Sequence, residues 1–324
     1  MALPLATGAS WSLLDVGYLV GGILFLYVGA ELLVNSASKL AIEFGINPAT
    51  VGVTIVAFAT TAPELFVSLI GSVGISDNIG LGNILGSNIA NIGLVLGASA
   101  LVQPMSVDRA VLVKHGPFMF AAAALLVVLG LDGSLSALDG GALLVLLALF
   151  TGYLLYNARQ GDDVAVTEDV DVEDGGSTTL RDVAVLVGAG VFLLAGSMGL
   201  LEGSTNLLRA YGFGDLFIAL TVIAFGTSLP ELATSVVSSF RGEAEFSIGN
   251  VVGSNIYNVL AVIGVLAVVN PLAVETDVQS FHFPILIGFT VGALALMAAN
   301  RRVGRAKGVV LLGCYAGFVY ALFP

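Results

Sequence analysis

The sequence predicts an all-α integral membrane protein of ten transmembrane helices, arranged as two inverted five-helix repeats with both termini outside. Three observations lead there. The chain is 57% hydrophobic and only 10% charged, with a mean hydropathy of +1.01, whereas a soluble domain carries about a quarter charged residues. Its apolar runs are continuous rather than alternating at period two, which excludes a transmembrane β-barrel. A segment of the first half also returns in the second half at one fixed offset.

A membrane helix needs roughly 20 apolar residues. The runs are Trp11–Leu40, Pro48–Ser72, Ile79–Val102, Val111–Leu131, Leu138–Asn157, Asp182–Ala210, Leu216–Phe240, Phe246–Val269, Phe281–Ala299 and Gly308–Phe323. No basic residue precedes the first, so it reads as a helix and not as a cleaved leader. The first and sixth are unusually long and dotted with glycine (Gly21, Gly22, Gly29; Gly188, Gly190, Gly196, Gly199), which lets helices approach closely and slide. With ten helices, one side of the membrane collects Lys39, Arg109, Lys114, Arg159, Arg181, Arg241, Arg301, Arg302, Arg305 and Lys307, and the other only Arg209. That asymmetry places the basic side in the cytoplasm.

The halves divide at an acidic cytoplasmic linker, residues 158–180, which supplies much of the net charge of −12. Residues 1–157 form the first repeat, with its motif at 57–91, and residues 181–324 the second, with its motif at 224–258. Ala59-Thr60-Thr61-Ala62-Pro63-Glu64 returns as Gly226-Thr227-Ser228-Leu229-Pro230-Glu231. Gly82-Asn83-Ile84-Leu85-Gly86-Ser87-Asn88-Ile89-Ala90-Asn91 returns as Gly249-Asn250-Val251-Val252-Gly253-Ser254-Asn255-Ile256-Tyr257-Asn258. Five helices separate equivalent positions, and an odd number reverses orientation across the membrane.

Each copy carries a glutamate inside an apolar span, where an ionisable group marks an ion or substrate path. Proline has no N–H to give the carbonyl four residues earlier, so Pro63 and Pro230 are expected to break their helices and free carbonyls around Ala59–Thr60 and Gly226–Thr227. Carbonyls and carboxylates are the oxygen ligands that hard cations favour. Two glutamates match the charge of one Ca2+. Ser87 and Asn91 share a helix face, as do Ser254 and Asn258, and their neutral oxygens suit Na+. Asn83 and Asn250 lie one turn earlier.

At these residues the chain resembles the cation/Ca2+ exchanger superfamily, and within it the Na+/Ca2+ exchangers of archaeal type. The likeness spans the whole length. It implies that Glu64 and Glu231 carboxylates with Thr60 and Thr227 carbonyls hold Ca2+. It further implies that Na+ positions add the Ala57 and Ala224 carbonyls, Thr61, Ser87, Ser228 and Ser254, and that Asn91 and Asn258 line the central position. Thr61 stands where relatives usually have Ser and keeps the hydroxyl. Asn258 stands where several archaeal and K+-dependent relatives have Asp, which leaves two carboxylates in the core.

Other signals carry less. Asp169–Gly175 has its glycine at position seven and Leu180 at position twelve, so the EF-hand pattern fails, and the linker reads as a solvated tether. His115 and His282 sit near helix ends and receive no role. Cys314 is the only cysteine, so no intrachain disulfide forms. No phosphate-loop signature is present; neither nucleotide nor nucleic acid is an expected partner, and no cofactor is expected. The reading is a multi-pass plasma-membrane antiporter, not an enzyme, driven by an ion gradient. It exchanges Na+ for Ca2+, with H+/Ca2+ exchange and a cation channel as the alternatives.

Overall fold

The structure, a computed structural model, describes residues 12–44, 46–74, 77–160, 180–211 and 224–322. Most of the acidic linker and the start of the seventh apolar run lie outside them. Within the described residues the chain forms ten helical rods. They are α1 (Leu13–Phe44), α2 (48–74), α3 (77–102), α4 (111–129), α5 (Ala137–Gln160), α6 (Leu180–Ala210), α7 (224–240), α8 (244–269), α9 (278–298) and α10 (Arg305–Ala321). Among the described residues, seven stretches are long and apolar enough to cross a membrane, on α1, α3, α4, α5, α6, α8 and α9.

Local chemistry sets the helix starts. Asn47 opens α2, its Oδ1 accepting Ala49 N at 2.8 Å with Pro48 in the first turn, the preferred cap and the preferred proline position. Ser136 and Asp139 cap α5 reciprocally, Ser136 Oγ donating to Asp139 Oδ2 at 2.6 Å, in the manner of a capping box.

The layering follows burial. In the apolar stretches of α3 and α8, 78% and 83% of residues are buried, against 28% and 22% in α1 and α6. The former pair is therefore central and the latter peripheral. α1 and α6 pack antiparallel along their whole length. Lys39 Nζ meets Asp182 Oδ1 at 2.7 Å near one end, and Asn206 Nδ2 donates to Asp15 Oδ1 at 2.9 Å near the other. Between these ends a Cβ on Gly22 would sit 2.9 Å from the Gly196 carbonyl, so the contact needs glycine. The pair shares its own apolar cluster with parts of α2, α7 and α8 (Leu26, Leu33, Ala189, Leu193, Val237, Phe246). A larger core binds the remaining helices.

The offset seen in the sequence recurs in the backbone. π-helical stretches open at Asn91 and again at Asn258, and at Val111 and again at Val278. Such wide turns concentrate at functional sites. Four two-residue strands among the described residues were not anticipated. β1 (Met105–Ser106) pairs antiparallel with β4 (Arg302–Val303), and β2 (Ser134–Leu135) with β3 (Leu272–Ala273). Both pairs join the first half of the chain to the second. Val107 N donates to Arg301 O at 2.8 Å and Val274 N to Gly133 O at 2.9 Å. Gly133 (φ 91°), Asn300 (φ 64°) and Arg301 (φ 46°) take left-handed backbone at these corners.

One expectation needs correction. The helix containing Pro63 is continuous from Ala57 to Gly74, because proline withdraws only its own N–H while the turns on either side keep the rod intact. Only α7 is interrupted, at Ser228 (φ −88°, ψ 7°), with Pro230 in the first turn of Leu229–Phe240.

Candidate cation site

The repeated motifs meet at the centre of the molecule, where α2, α3, α7 and α8 cross. Close approach of α2 and α8 is built on glycine: a Cβ at Gly253 would lie 2.5 Å from the Val53 carbonyl, and one at Gly249 2.5 Å from that of Ala49. α3 and α8 are tied where Asn88 Nδ2 donates to the Asn255 carbonyl at 3.3 Å.

A symmetric frame of hydrogen bonds surrounds the crossing. Asn83 Nδ2 donates to Ser68 Oγ at 3.0 Å, and Asn250 Nδ2 to Ser235 Oγ at 3.0 Å. Thr60 Oγ1 donates to Asn250 Oδ1 at 3.1 Å, and Thr227 Oγ1 to Asn83 Oδ1 at 3.2 Å. The same hydroxyls meet Ser254 Oγ at 3.4 Å and Ser87 Oγ at 3.3 Å. Each bond has its counterpart 167 residues along. These contacts run between the halves for Thr60 and Thr227 and within them for Asn83 and Asn250. The two asparagines thus brace the ring rather than face its interior.

Inside the frame lie the groups without protein partners. Glu64 Oε1 and Oε2, Glu231 Oε2, the amides of Asn91 and Asn258, Thr61 Oγ1 and Ser228 Oγ have no hydrogen-bond partner among the described residues. Glu64, Glu231, Asn91 and Asn258 are all 0% exposed. Glu231 Oε1 accepts from Ser254 Oγ at 3.5 Å, and the two glutamate carboxyls lie close enough to interact directly. Buried polar atoms are nearly always paired. Three pairs of unpaired ones, Thr61/Ser228, Glu64/Glu231 and Asn91/Asn258, are the donor set a cage of hard oxygens presents to a cation.

The expected residues therefore fall into groups. Glu64, Glu231, Thr61, Ser228, Asn91 and Asn258 bear unpaired oxygens. Thr60, Thr227, Ser87 and Ser254 form the interlocking frame beside them. The Ala57 carbonyl accepts Thr60 Oγ1 at 3.2 Å, and Ala224 opens the described part of α7.

Sequence reasoning missed three features. Ser197 of α6 donates its hydroxyl to the Gly226 carbonyl at 2.6 Å, so a carbonyl that Pro230 releases is taken up by protein. The matching position on α1 is Ala30, which has no hydroxyl, and no repeat signal marks Ser197. The frame bonds of Ser68 and Ser235 were also missed, although the 167-residue offset links them. So was the relation between His115 and His282, which share that offset and end the two matching π-helical stretches; His282 Nδ1 lies 3.6 Å from Asp277 Oδ2.

Comparison with known proteins decides the family. The sodium/calcium exchanger protein family matches residues 14–156 and 182–323. The chain belongs to that family. Relatives cover it almost end to end. Inner membrane protein YrbG of Escherichia coli is 33% identical over 319 residues, spanning 96% of this chain and 97% of its own. Sodium/calcium exchanger MaX1 of Methanosarcina acetivorans is 29% identical, spanning 93% and 96%. The solved sodium-calcium exchanger NCX_Mj, soaked with 10 mM Na+ and zero Ca2+, superposes with a TM-score of 0.82 at 28% identity, covering 96% of this chain and 99% of that one. The protein is an all-helical membrane protein of an exchanger-type cation/Ca2+ antiporter family, and a transporter by family and fold.

Proposed function

We propose that this exchanger carries Ca2+ across the plasma membrane in exchange for Na+, by alternating access to a single shared site. The observation that carries the reading is that the pairs Thr61/Ser228, Glu64/Glu231 and Asn91/Asn258 bring to the crossing buried oxygens with no hydrogen-bond partner among the described residues. Glu64 and Glu231 together neutralise one Ca2+. Ca2+ takes six to eight oxygens, and the Thr60 and Thr227 carbonyls complete its shell from the same turns. Na+ takes the flanking neutral oxygens of Thr61, Ser228, Ser87, Ser254 and the Ala57 and Ala224 carbonyls, with Asn91 and Asn258 lining the central position. Both ions need the same carboxylates, so Na+ entering from outside displaces Ca2+.

The chain on this reading spans the membrane ten times, in two inverted halves, 1–157 and 181–324, with both termini outside. The equal-offset bonds of the frame and the paired strands support the duplication. Access changes when α1 and α6 slide as a pair across the other eight helices. Their apolar cluster, distinct from the larger core although parts of α2, α7 and α8 join it, supports that division of labour.

One observation favours a second reading. Glu64 and Glu231 are both wholly buried in one site, and two carboxyls that share a site can hold a proton, as H+/Ca2+ exchange requires. Proteoliposomes loaded with Na+, K+ or acid buffer and given external 45Ca2+ separate the two. Uptake driven by internal Na+ alone supports Na+ coupling. Uptake driven only by internal acid replaces it with proton coupling.

A further inference from the structure

The α7–α8 interface continues beyond the cation site in a way that its first-half counterpart does not. The two helices run antiparallel in a register fixed by two hydrogen bonds: Ser254 faces Glu231, and one step further Asn250 faces Ser235. Advancing three residues on each helix brings Ser238 opposite Ser247. Ser247, Asn250, Ser254 and Asn258 lie three, seven and eleven residues apart, one face of an α-helix, so Ser247 points into the same seam as the three residues beyond it.

Both serines are 0% exposed, as is Thr234 one turn before Ser238. Ser238 Oγ donates to the Thr234 carbonyl at 2.9 Å, which leaves its lone pairs free to accept. Ser247 Oγ and Thr234 Oγ1 have no hydrogen-bond partner among the described residues. The seam therefore holds a cluster of uncharged hard oxygens, two of them unpaired. It lies roughly 10 Å along the helix axis from Glu231, at 1.5 Å per residue.

The first half has Glu64 and Ser87 at the positions of the first step and carries the second, Asn83 Nδ2 donating to Ser68 Oγ. Its third step is Gly71 with Gly80, and Val67 stands at the position of Thr234. The frame is duplicated, but this cluster occurs on one side only. On the topology proposed above, that side is cytoplasmic.

We propose that Ser238, Ser247 and Thr234 form a relay site for a partly dehydrated monovalent cation, one step to the cytoplasmic side of the carboxylate pair. Neutral oxygens suit a single charge. A divalent ion there would lack the counter-charge that its burial demands. The inference rests on the Na+-coupled reading and adds a sidedness to it: Na+ leaving to, or arriving from, the cytoplasm pauses at a site that Na+ outside never meets.

The test compares inside-out and right-side-out membrane vesicles carrying the full chain, reading 45Ca2+ flux against Na+ on each face. In Ser238→Ala/Ser247→Ala, the half-saturating cytoplasmic Na+ is expected to rise about five- to tenfold, the loss of one or two oxygen contacts, while the outer value stays within twofold. No shift on either face, as when the hydroxyls only hold water, overturns the proposal. An equal shift on both faces also overturns it, because the effect then passes through the central site. Ser238→Cys/Ser247→Cys in a Cys314→Ser background guards against misfolding, since it keeps the volume and supplies soft ligands. Zn2+ added to the cytoplasmic face is expected to block exchange in it, and the outer face to be insensitive. Absence of block overturns the facing of the two side chains. If the unmodified protein shows no Na+-driven Ca2+ flux, the Na+-coupled reading falls together with the relay. If it does and the variants match it, only the relay falls.

Discussion

Replacing Glu64 by Gln is expected to remove Ca2+ exchange and leave the protein folded, and the structure sets the size of the loss. Neither oxygen of the Glu64 carboxylate accepts a hydrogen bond from a described residue, so the substitution breaks no such bond. It also relieves an interaction between two neighbouring carboxyls, which favours folding in the absence of ions. With Ca2+ present the balance reverses. Two carboxylates compensate two positive charges in a site that is 0% exposed at both glutamates; the amide leaves one charge uncompensated. Removing one partner from a buried charge set costs about 3–5 kcal/mol, and at about 1.4 kcal/mol per decade this weakens Ca2+ roughly 10²- to 10⁴-fold. Two measurements check it. In proteoliposomes, Na+-driven 45Ca2+ exchange falls to background. In thermal unfolding of the solubilised protein, Ca2+ at a hundredfold excess over its Kd stabilises the wild type by about 2.7 kcal/mol, and at the same concentration hardly stabilises the variant. A Glu64→Gln protein that keeps both its Ca2+-dependent stabilisation and near-wild-type exchange refutes the shared-carboxylate argument.

Further outcomes follow from the same geometry. Gly253→Val places a Cβ 2.5 Å from the Val53 carbonyl and the Ala57 Cβ; overpacking of this kind costs about 1–3 kcal/mol, and the thermal midpoint in detergent is expected to fall. Asn258→Asp adds a third carboxyl to the cage, so exchange is expected to become dependent on pH or to recruit a further cation such as K+. Because Asn258 stands where K+-dependent relatives have Asp, wild-type Na+/Ca2+ exchange is expected to need no K+, and an absolute K+ requirement would contradict that. Deleting residues 163–175 is expected to leave exchange nearly intact, since that segment lacks Ca2+-loop spacing; a folded deletion without transport refutes it. Single cysteines in a Cys314→Ser background are expected to react with an impermeant reagent from outside near Arg209 and not in the 162–174 linker.

The helices were legible because each is an uninterrupted apolar run, and the cage because its members recur in register. Glu64 and Glu231 stand out by charge alone, Asn91 and Asn258 only through the repeat. What escaped detection has no period. Two-residue strands such as Met105–Ser106 are too short to alternate. Ser197 covers the Gly226 carbonyl from a different helix, at a position where the first half has Ala30. The proline signal was read too symmetrically: the residues around Pro63 hold a continuous helix and those around Ser228 do not. Ser247 looked like an ordinary small residue until the register of α7 against α8 set it opposite Ser238.

The paired strands carry a mechanical consequence. β1 with β4 and β2 with β3 each rivet a connection of one half to a connection of the other, and the connections they use, between α3 and α4, α4 and α5, α8 and α9, and α9 and α10, flank the central helices without involving α1 or α6. A body stitched in this way resists rocking of half against half, since each hinge would shear backbone hydrogen bonds. The peripheral pair carries no such stitch among the described residues. It is held to the other helices by apolar contact, by Ser197 of α6 donating to the Gly226 carbonyl, by Ser38 of α1 donating to Glu243 Oε2, and by Arg241, whose guanidinium reaches Glu31 on α1 at 2.7 Å. Exposed ion pairs of this kind are worth less than about 1 kcal/mol each and re-form readily. On the proposed function the molecule is a chassis with a shuttle: a stitched frame that keeps the oxygens in place, and a separately packed pair of rods whose sliding decides which face of the membrane they see.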